Sequence, residues 1–178
     1  MDTPLEIERK YLIQMPNTAA LSAMEGARVY AITQTYLTAP AGLTRRVRKR
    51  VENGRTTYIL TEKERISHLS AIERERALCE AEYEAALADA DPAATPIEKI
   101  RYAIPYGMHT LEIDVYPFWQ TAAILEIELS SEEESVEIPA FLSVVCELTR
   151  DRRFKNAALA KNGANRVDLP HLVAPSVF

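Results

Sequence analysis

The sequence predicts an α+β protein: about eight mostly antiparallel strands with three or four short helices, a set that can close into a barrel. Three observations carry the prediction. Apolar and charged residues alternate with a period of two in segment after segment, as strands with one buried face do. Turn signals separate these segments at short intervals, Asn53-Gly54 being the strongest. Charged residues recur as i, i+2 pairs, and most strands carry pairs of a single sign.

Residues 4–14 alternate and open the chain as a strand. Pro16-Asn17-Thr18 punctuates it, and Asn17 or Thr18 is placed to N-cap a short helix reaching about Ala27. Thr33 to Leu37 is β-rich, and Ala39-Pro40-Ala41-Gly42 turns. Thr44 to Val51 and Thr56 to Lys63 flank Asn53-Gly54 as a hairpin. Ser70 to Leu78 alternates, although Glu73-Arg74-Glu75-Arg76 on its own suits a helix equally well. Cys79 to Ala90, rich in Ala and Glu, reads as a helix ended by Pro92 and Pro96. Ile97 to Ile104 and Thr110 to Tyr116 are strands joined by Pro105-Tyr106-Gly107-Met108, and Ala122 to Leu129 is a further strand. Ser130 to Ser135 is an acidic turn with a solvated Glu132-Glu133-Glu134. Pro139 is expected to open a helix through about Leu148, a short helix is expected over Asn156 to Lys161, and the C-terminal residues read as irregular.

A length of 178 residues with no linker or low-complexity tract fits one domain spanning 1–178. A net charge of −5 argues against nucleic-acid binding through bulk electrostatics. Two distant cysteines, Cys79 and Cys146, read as buried thiols in a reducing compartment. No basic segment followed by an apolar one opens the chain, and no run of about 18 apolar residues occurs. A cytoplasmic protein with no membrane partner is therefore expected, as a monomer or homodimer. His68, His109 and His171 are scattered over loops and do not read as a metal site, and Trp119 reads as rim packing.

Sorted by strand parity, one face collects Glu6, Glu8 and Lys10; Arg46 and Arg48; Thr61 and Lys63; Glu73 and Glu75; Lys99 and Arg101; Glu112 and Asp114; and Glu126 and Glu128. The opposite face is apolar, with Leu5, Ile7, Val47, Leu60, Ile72, Ile100, Leu111, Ile113, Leu125 and Ile127. Two readings follow. One is an ordinary sheet with its charges in water, each surface pair contributing roughly 0–1 kcal/mol. The other is a closed barrel with a charged lumen and an apolar outside covered by helices. Such a lumen is expensive to desolvate unless its charges are paired or bound to ions. Carboxylates on one side suit Mg²⁺ or Mn²⁺, and Arg and Lys on the other suit phosphate oxygens.

The pattern resembles the CYTH superfamily, the triphosphate tunnel metalloenzymes. Glu6-Ile7-Glu8-Arg9-Lys10 matches its E-x-E-x-K strand, and Arg46-Val47-Arg48 its R-x-R strand. Leu60-Thr61-Glu62-Lys63 is similar to L-T-x-K, Glu73-Arg74-Glu75 to E-x-E, and Lys99-Ile100-Arg101-Tyr102 to K-x-R-Y. Leu111 to Asp114 and Leu125 to Leu129 resemble the two late acidic strands, and Glu147 to Asn156 the C-terminal E-V-T-G-D-x-R-Y-x-N segment. The chain departs from these motifs at Ala71, where Arg is frequent, and at Arg150 and Phe154, where Gly and Tyr are usual.

The resemblance, strongest to compact bacterial inorganic tripolyphosphatases, implies an eight-stranded tunnel and metal-dependent hydrolysis of a linear triphosphate. It implies Glu6, Glu8 and Glu128 as ligands of the principal Mg²⁺ or Mn²⁺, with Glu126 and Asp114 among the metal carboxylates. Glu73, Glu75 and Glu126 are expected to hold a second metal or position water, and Lys10 to lie near the scissile phosphorus. Arg46, Arg48, Lys63, Lys99 and Arg101 are expected to grip phosphate, and Asp151 and Arg153 to close the site. Adenylate cyclase, a thiamine or nucleoside triphosphatase, and a non-catalytic polyphosphate-binding module are the alternatives on the same fold.

Overall fold

The computed structural model describes residues 5–162 and Leu169. The rest of the C-terminal stretch that the sequence reads as irregular, His171 included, lies outside the described residues. The strands are β1 (Leu5–Gln14), β2 (Arg28–Leu37), β3 (Leu43–Glu52), β4 (Arg55–Arg65), β5 (Ser70–Leu78), β6 (Ile97–Tyr106), β7 (His109–Val115), β8 (Ala122–Glu128) and β9 (Val144–Glu147). The helices are α1 (Thr18–Ser22), α2 (Glu80–Ala86) and α3 (Asn156–Lys161).

Eight strands run β5-β4-β3-β2-β6-β7-β8-β1, and β1 returns to β5, closing an antiparallel barrel. Closure leaves no free edge in this ring. The alternation read from the sequence therefore separates an inside from an outside. Asn53 and Gly54 both take positive φ, 48° and 77°, as a tight hairpin turn requires. Ser70–Leu78 is a strand despite its locally helical composition, because β4 pairs along its whole length and β1 pairs with its start.

The outside is covered in two places. Ile7, Tyr11, Ile13, Leu111, Ile113, Leu125 and Ile127 lie under Leu21 of α1 and under Val136, Ile138 and Leu142 of the segment after β8. On the other side, Tyr83 of α2 packs on Leu37, Val47 and Leu78. Asn17 caps α1 by accepting the Ala20 N–H at 3.0 Å. This helix stops at Ser22, short of Ala27, because the chain turns at Gly26 (φ 72°) into β2, which starts at Arg28. Strand β2 is longer than its β-rich stretch suggests, since β3 and β6 supply ladders on both of its edges.

Two expectations are overturned. The cysteines are not buried: Cys79, at the N-cap of α2, is exposed, and Cys146 is half-buried. Pro139 to Leu148 is not a helix but a turn followed by β9. The reason lies on β1. Its first residues pair with β5, which leaves the edge beside Tyr11–Ile13 unpaired. Unpaired backbone groups there would be buried without partners. Strand β9 supplies them, extended by the Gln14 N–H donating to the Ser143 carbonyl (2.9 Å) and the Leu148 N–H to the Lys10 carbonyl (2.7 Å).

The chain after β9 fills one part of the barrel interior. Two residues beyond the charged groups on the same inward rows stand Leu12, Ile97, Tyr116 and Ile124. These pack with Trp119, Leu148, Phe154, Leu159 and Ala160 into an apolar plug. Tyr116 donates to Asn156 Oδ1 at 2.7 Å, tying α3 into it. Trp119 is thus core, with its ring edge-on to Tyr116 at 5.3 Å. Among the described residues no helix is long and apolar enough to cross a membrane.

Candidate active site

The inward rows that are not plugged enclose a cavity of about 730 Å³. Strand order sorts its charges. Acidic strands β7, β8, β1 and β5 are consecutive around the barrel, as are β4, β3, β2 and β6, which carry the cations, the row on β2 being neutral beyond Arg28. The lumen therefore has an acidic arc and a basic arc, with Lys10 as the cation inside the acidic one.

In the acidic arc, register sets like charges face to face. Glu8 lies directly opposite Glu128, and Glu112 opposite Glu126. Such pairs destabilise adjacent strands unless a cation joins them. Lys10 answers one of them, bonding Glu126 at 2.6 Å, with Arg101 on the same carboxylate at 2.6 Å. Burial opposes ionisation of Glu126, but Lys10 and Arg101 hold its pKa well below the usual carboxylate range. Burial likewise opposes the Lys10 charge, and Glu126 with Glu8 raises its pKa above the ordinary lysine value.

Lys63 sits at the β4–β5 boundary among three acids. It bonds Glu6 and lies 3.3 Å from Glu73 and 4.0 Å from Glu8. One ammonium does not satisfy them all. Burial first, and then Glu8, push the Glu6 carboxyl up to about 7. Glu73 Oε2 is buried without a hydrogen-bond partner.

Among the described residues no three acidic, His or Cys side chains already surround a common point. The donor set still fits a hard divalent cation: every available group is a carboxylate, two acids are opposed in register, and burial with the neighbouring Glu8 pushes a third carboxyl up to about 7. Glu6, Glu8 and Glu128, all lining the cavity, are the residues that could hold it.

In the basic arc the two β3 arginines stand opposite neutral side chains. Arg46 stands opposite Tyr36 and Thr61, and Arg48 opposite Gln34. The Nε atoms of both arginines are buried without partners. Arg48 reaches Glu75 at 2.6 Å across β4, and Arg46 lies 3.6 Å from Glu73. Burial, and after it Arg46, pull the Arg48 pKa down to about 10. Burial and Arg101 also lower Lys99, to about 8, against the pull of Asp114.

Of the residues singled out in the sequence, Glu6, Glu8, Lys10, Arg46, Arg48, Lys63, Glu73, Glu75, Lys99, Arg101, Glu126 and Glu128 all line this one cavity. Two stand apart. Asp114 has no exposed surface and lies behind Lys99 and Arg101. Arg153 is largely exposed, paired with Asp151 at 2.7 Å outside the lumen and over the ring of Phe154. Sequence reasoning missed Arg28, Tyr30 and Gln34 on the inward row of β2, together with Arg50 and Arg65. Gln34 donates to the Tyr36 hydroxyl at 2.7 Å, and its Oε1 is buried without a partner. Period-two parity carried back from Tyr36 to Arg28 would have found this row. Ala71, at the departure from the family motif, lies opposite Arg65, which brings a guanidinium into the same part of the lumen.

No family model matches the chain, and no curated protein matches it. Solved structures do. One of the inorganic triphosphatase NE1496 is 28% identical, covering 90% of this chain and 96% of that one, with a TM-score of 0.56. A second structure of NE1496 matches at 27% identity, 88% and 97% coverage and a TM-score of 0.53. PH1819 from Pyrococcus horikoshii is 16% identical over 72% of this chain and 80% of that one, at a TM-score of 0.56, a likeness of fold. The closed barrel and these likenesses show the triphosphate tunnel fold of the CYTH type, here with an acidic and a basic arc lining its interior. The chain is similar to the inorganic triphosphatase NE1496 over nearly the full length of both.

Proposed function

We propose that the protein hydrolyses the terminal phosphoanhydride bond of a linear triphosphate, inorganic tripolyphosphate above others, to pyrophosphate and phosphate with the help of Mg²⁺ or Mn²⁺. The observation that supports this most is the division of one cavity into an acidic arc and a basic arc. A substrate matching both must be highly anionic and must carry, or recruit, a cation. The likeness to a protein described as an inorganic triphosphatase points the same way.

Phosphoryl transfer needs positioning and charge stabilisation more than covalent participation by the protein. Arg46 and Arg48, with donors to spare, grip non-bridging oxygens, and Lys63 and Lys99 add charge. Lys10, kept charged by Glu126, faces the oxygens of the phosphoryl group under attack. Glu6, Glu8 and Glu128 would hold a divalent ion, which would supply charge neutralisation and lower the pKa of bound water. Glu73, whose Oε2 has no hydrogen-bond partner, accepts the proton of the attacking water as the bridging oxygen leaves with pyrophosphate, and Glu75 and Glu126, tied to Arg48 and Lys10, help to orient that water.

One observation favours organic triphosphates as a second reading. Arg28 and Arg50 lie 5.3 Å and 4.9 Å from the centre of the Tyr30 ring, beside Ile32 and Ala103, in the same cavity. Inorganic tripolyphosphate has no use for such a group. A panel of tripolyphosphate, ATP and thiamine triphosphate, each with Mg²⁺ and with Mn²⁺, tests both readings. Highest kcat/KM on tripolyphosphate, with pyrophosphate and phosphate as products, is expected. Binding without product, or a cyclic nucleotide as product, would overturn the assignment.

A further inference from the structure

We propose that Asp114 is a positioning residue that acts through Lys99 and Arg101, and that it is not a metal ligand. The inference rests on the triphosphate reading above and sharpens it.

By parity alone Asp114 belongs with Glu112, facing the lumen. In the barrel it lies one step nearer the plug, and its side chain is fully buried. Both of its oxygens are already in use. Oδ1 accepts from Arg101 Nε at 2.7 Å. Oδ2 accepts from the second guanidinium arm at 2.7 Å and from Lys99 Nζ at 2.5 Å. A ligand to a lumenal ion would have to break this fork and cross the side chains that cover it. Carboxylate–guanidinium forks of this kind are strong and directional.

The arrangement has a clear physical purpose. Lys99 and Arg101 are two residues apart on one inward row of β6, so two buried cations stand side by side. Each repels the other, and each is expensive to bury alone. Among the described residues Asp114 is the one carboxylate bonded to both. Its position directly opposite Arg101 in the β6–β7 register fixes the guanidinium plane. Arg101 Nε and one N–H of its second arm are committed behind the lumen. The remaining N–H groups point forward, where they meet Glu112 and Glu126. Asp114 thereby determines how far the β6 cations reach toward a bound phosphate without touching it.

The test is calorimetric binding of tripolyphosphate to the metal-free full chain in chelator, alongside Mg²⁺ dependence of turnover. D114N keeps the size and one acceptor and removes the charge. It should weaken metal-free binding by about tenfold or more, the loss expected for a disrupted charge-assisted hydrogen-bond pair. The Mg²⁺ concentration for half-maximal rate should stay as in wild type. E128Q should do the reverse, raising the Mg²⁺ requirement without weakening metal-free binding. D114E, which retains the charge on a longer stem, should fall between wild type and D114N, and it gives the same readout if D114N does not fold. Unchanged metal-free binding in a folded Asp114 variant, or a raised Mg²⁺ requirement like that of E128Q, overturns the assignment alone. Wild type that binds no tripolyphosphate in chelator overturns this assignment, and wild type that also releases no phosphate from tripolyphosphate with Mg²⁺ overturns the functional reading with it.

Discussion

The two arcs of the lumen are built from the same kind of strand and solve different problems. In the acidic arc, register puts acid opposite acid: Glu8 with Glu128, Glu112 with Glu126. In the basic arc, register puts each β3 arginine opposite a neutral side chain: Tyr36 and Thr61 beside Arg46, Gln34 beside Arg48. The acidic arc is left short of positive charge, and one of its carboxyls is held up to about 7. The basic arc is left with unused guanidinium donors. One arc calls for a compact multivalent cation, and the other for an anion with many oxygens. The difference teaches that charge count alone does not define this site. The pairing of strands does.

Three substitutions or conditions test that division of labour. The largest effect is expected from E8Q, which halves an opposed acidic pair on the metal side. Metal-dependent phosphate release from tripolyphosphate should fall at least about a hundredfold, the several kcal/mol that metal catalysis supplies. Rescue should be partial at most at high Mg²⁺. Wild-type turnover in E8Q would remove the metal role from this arc.

A smaller and different effect is expected from R48M. Loss of a phosphate-gripping guanidinium should raise KM for tripolyphosphate about tenfold, with the Mg²⁺ midpoint unmoved. A shift of the Mg²⁺ midpoint with constant KM would erase the contrast between the arcs.

The smallest effect concerns pH. The folded chain raises Glu6 from about 4.5 to about 7, so it favours the protonated carboxyl. That contribution to stability is fully present below about pH 4.5 and is lost as pH rises through about 7. E6Q cannot lose it. The Tm of the metal-free wild type should therefore fall relative to E6Q between about pH 5 and about pH 8, and Mg²⁺ should restore it at the upper end. A constant difference across this range would mean that Glu6 is not crowded by its neighbours.

Much of this was legible in the sequence, and the exceptions share a physical cause. Local signals held where the structure is local. Asn53-Gly54 made its hairpin, Asn17 capped α1, and Asn156–Lys161 formed the last helix. Parity held for all the lumenal acids and cations of the E-x-E-x-K, R-x-R and K-x-R segments, because a closed barrel turns parity into inside and outside. What failed was depth and partnership. Parity cannot say how far along a row the lumen ends, so Asp114 read like Glu112 although Tyr116 and the plug come next. Strand β9 exists to pair an edge of β1, which comes from the other end of the chain. The Thr149 hydroxyl, just past β9, accepts the Lys10 N–H at 3.1 Å on that same edge. No local signal in either segment announces such a pairing. Mixed rows hide too. Arg28, Tyr30, Ile32, Gln34 and Tyr36 share one face of β2 but no sign or polarity, so a search for charged pairs passed over them.

The central claim is that both arcs act on one substrate. Phosphate release from tripolyphosphate by the wild-type chain, measured with Mg²⁺ and again in chelator, tests it most directly. Turnover with the metal, none in chelator, and competition by pyrophosphate are expected. Equal release in both conditions, or none in either, would contradict it.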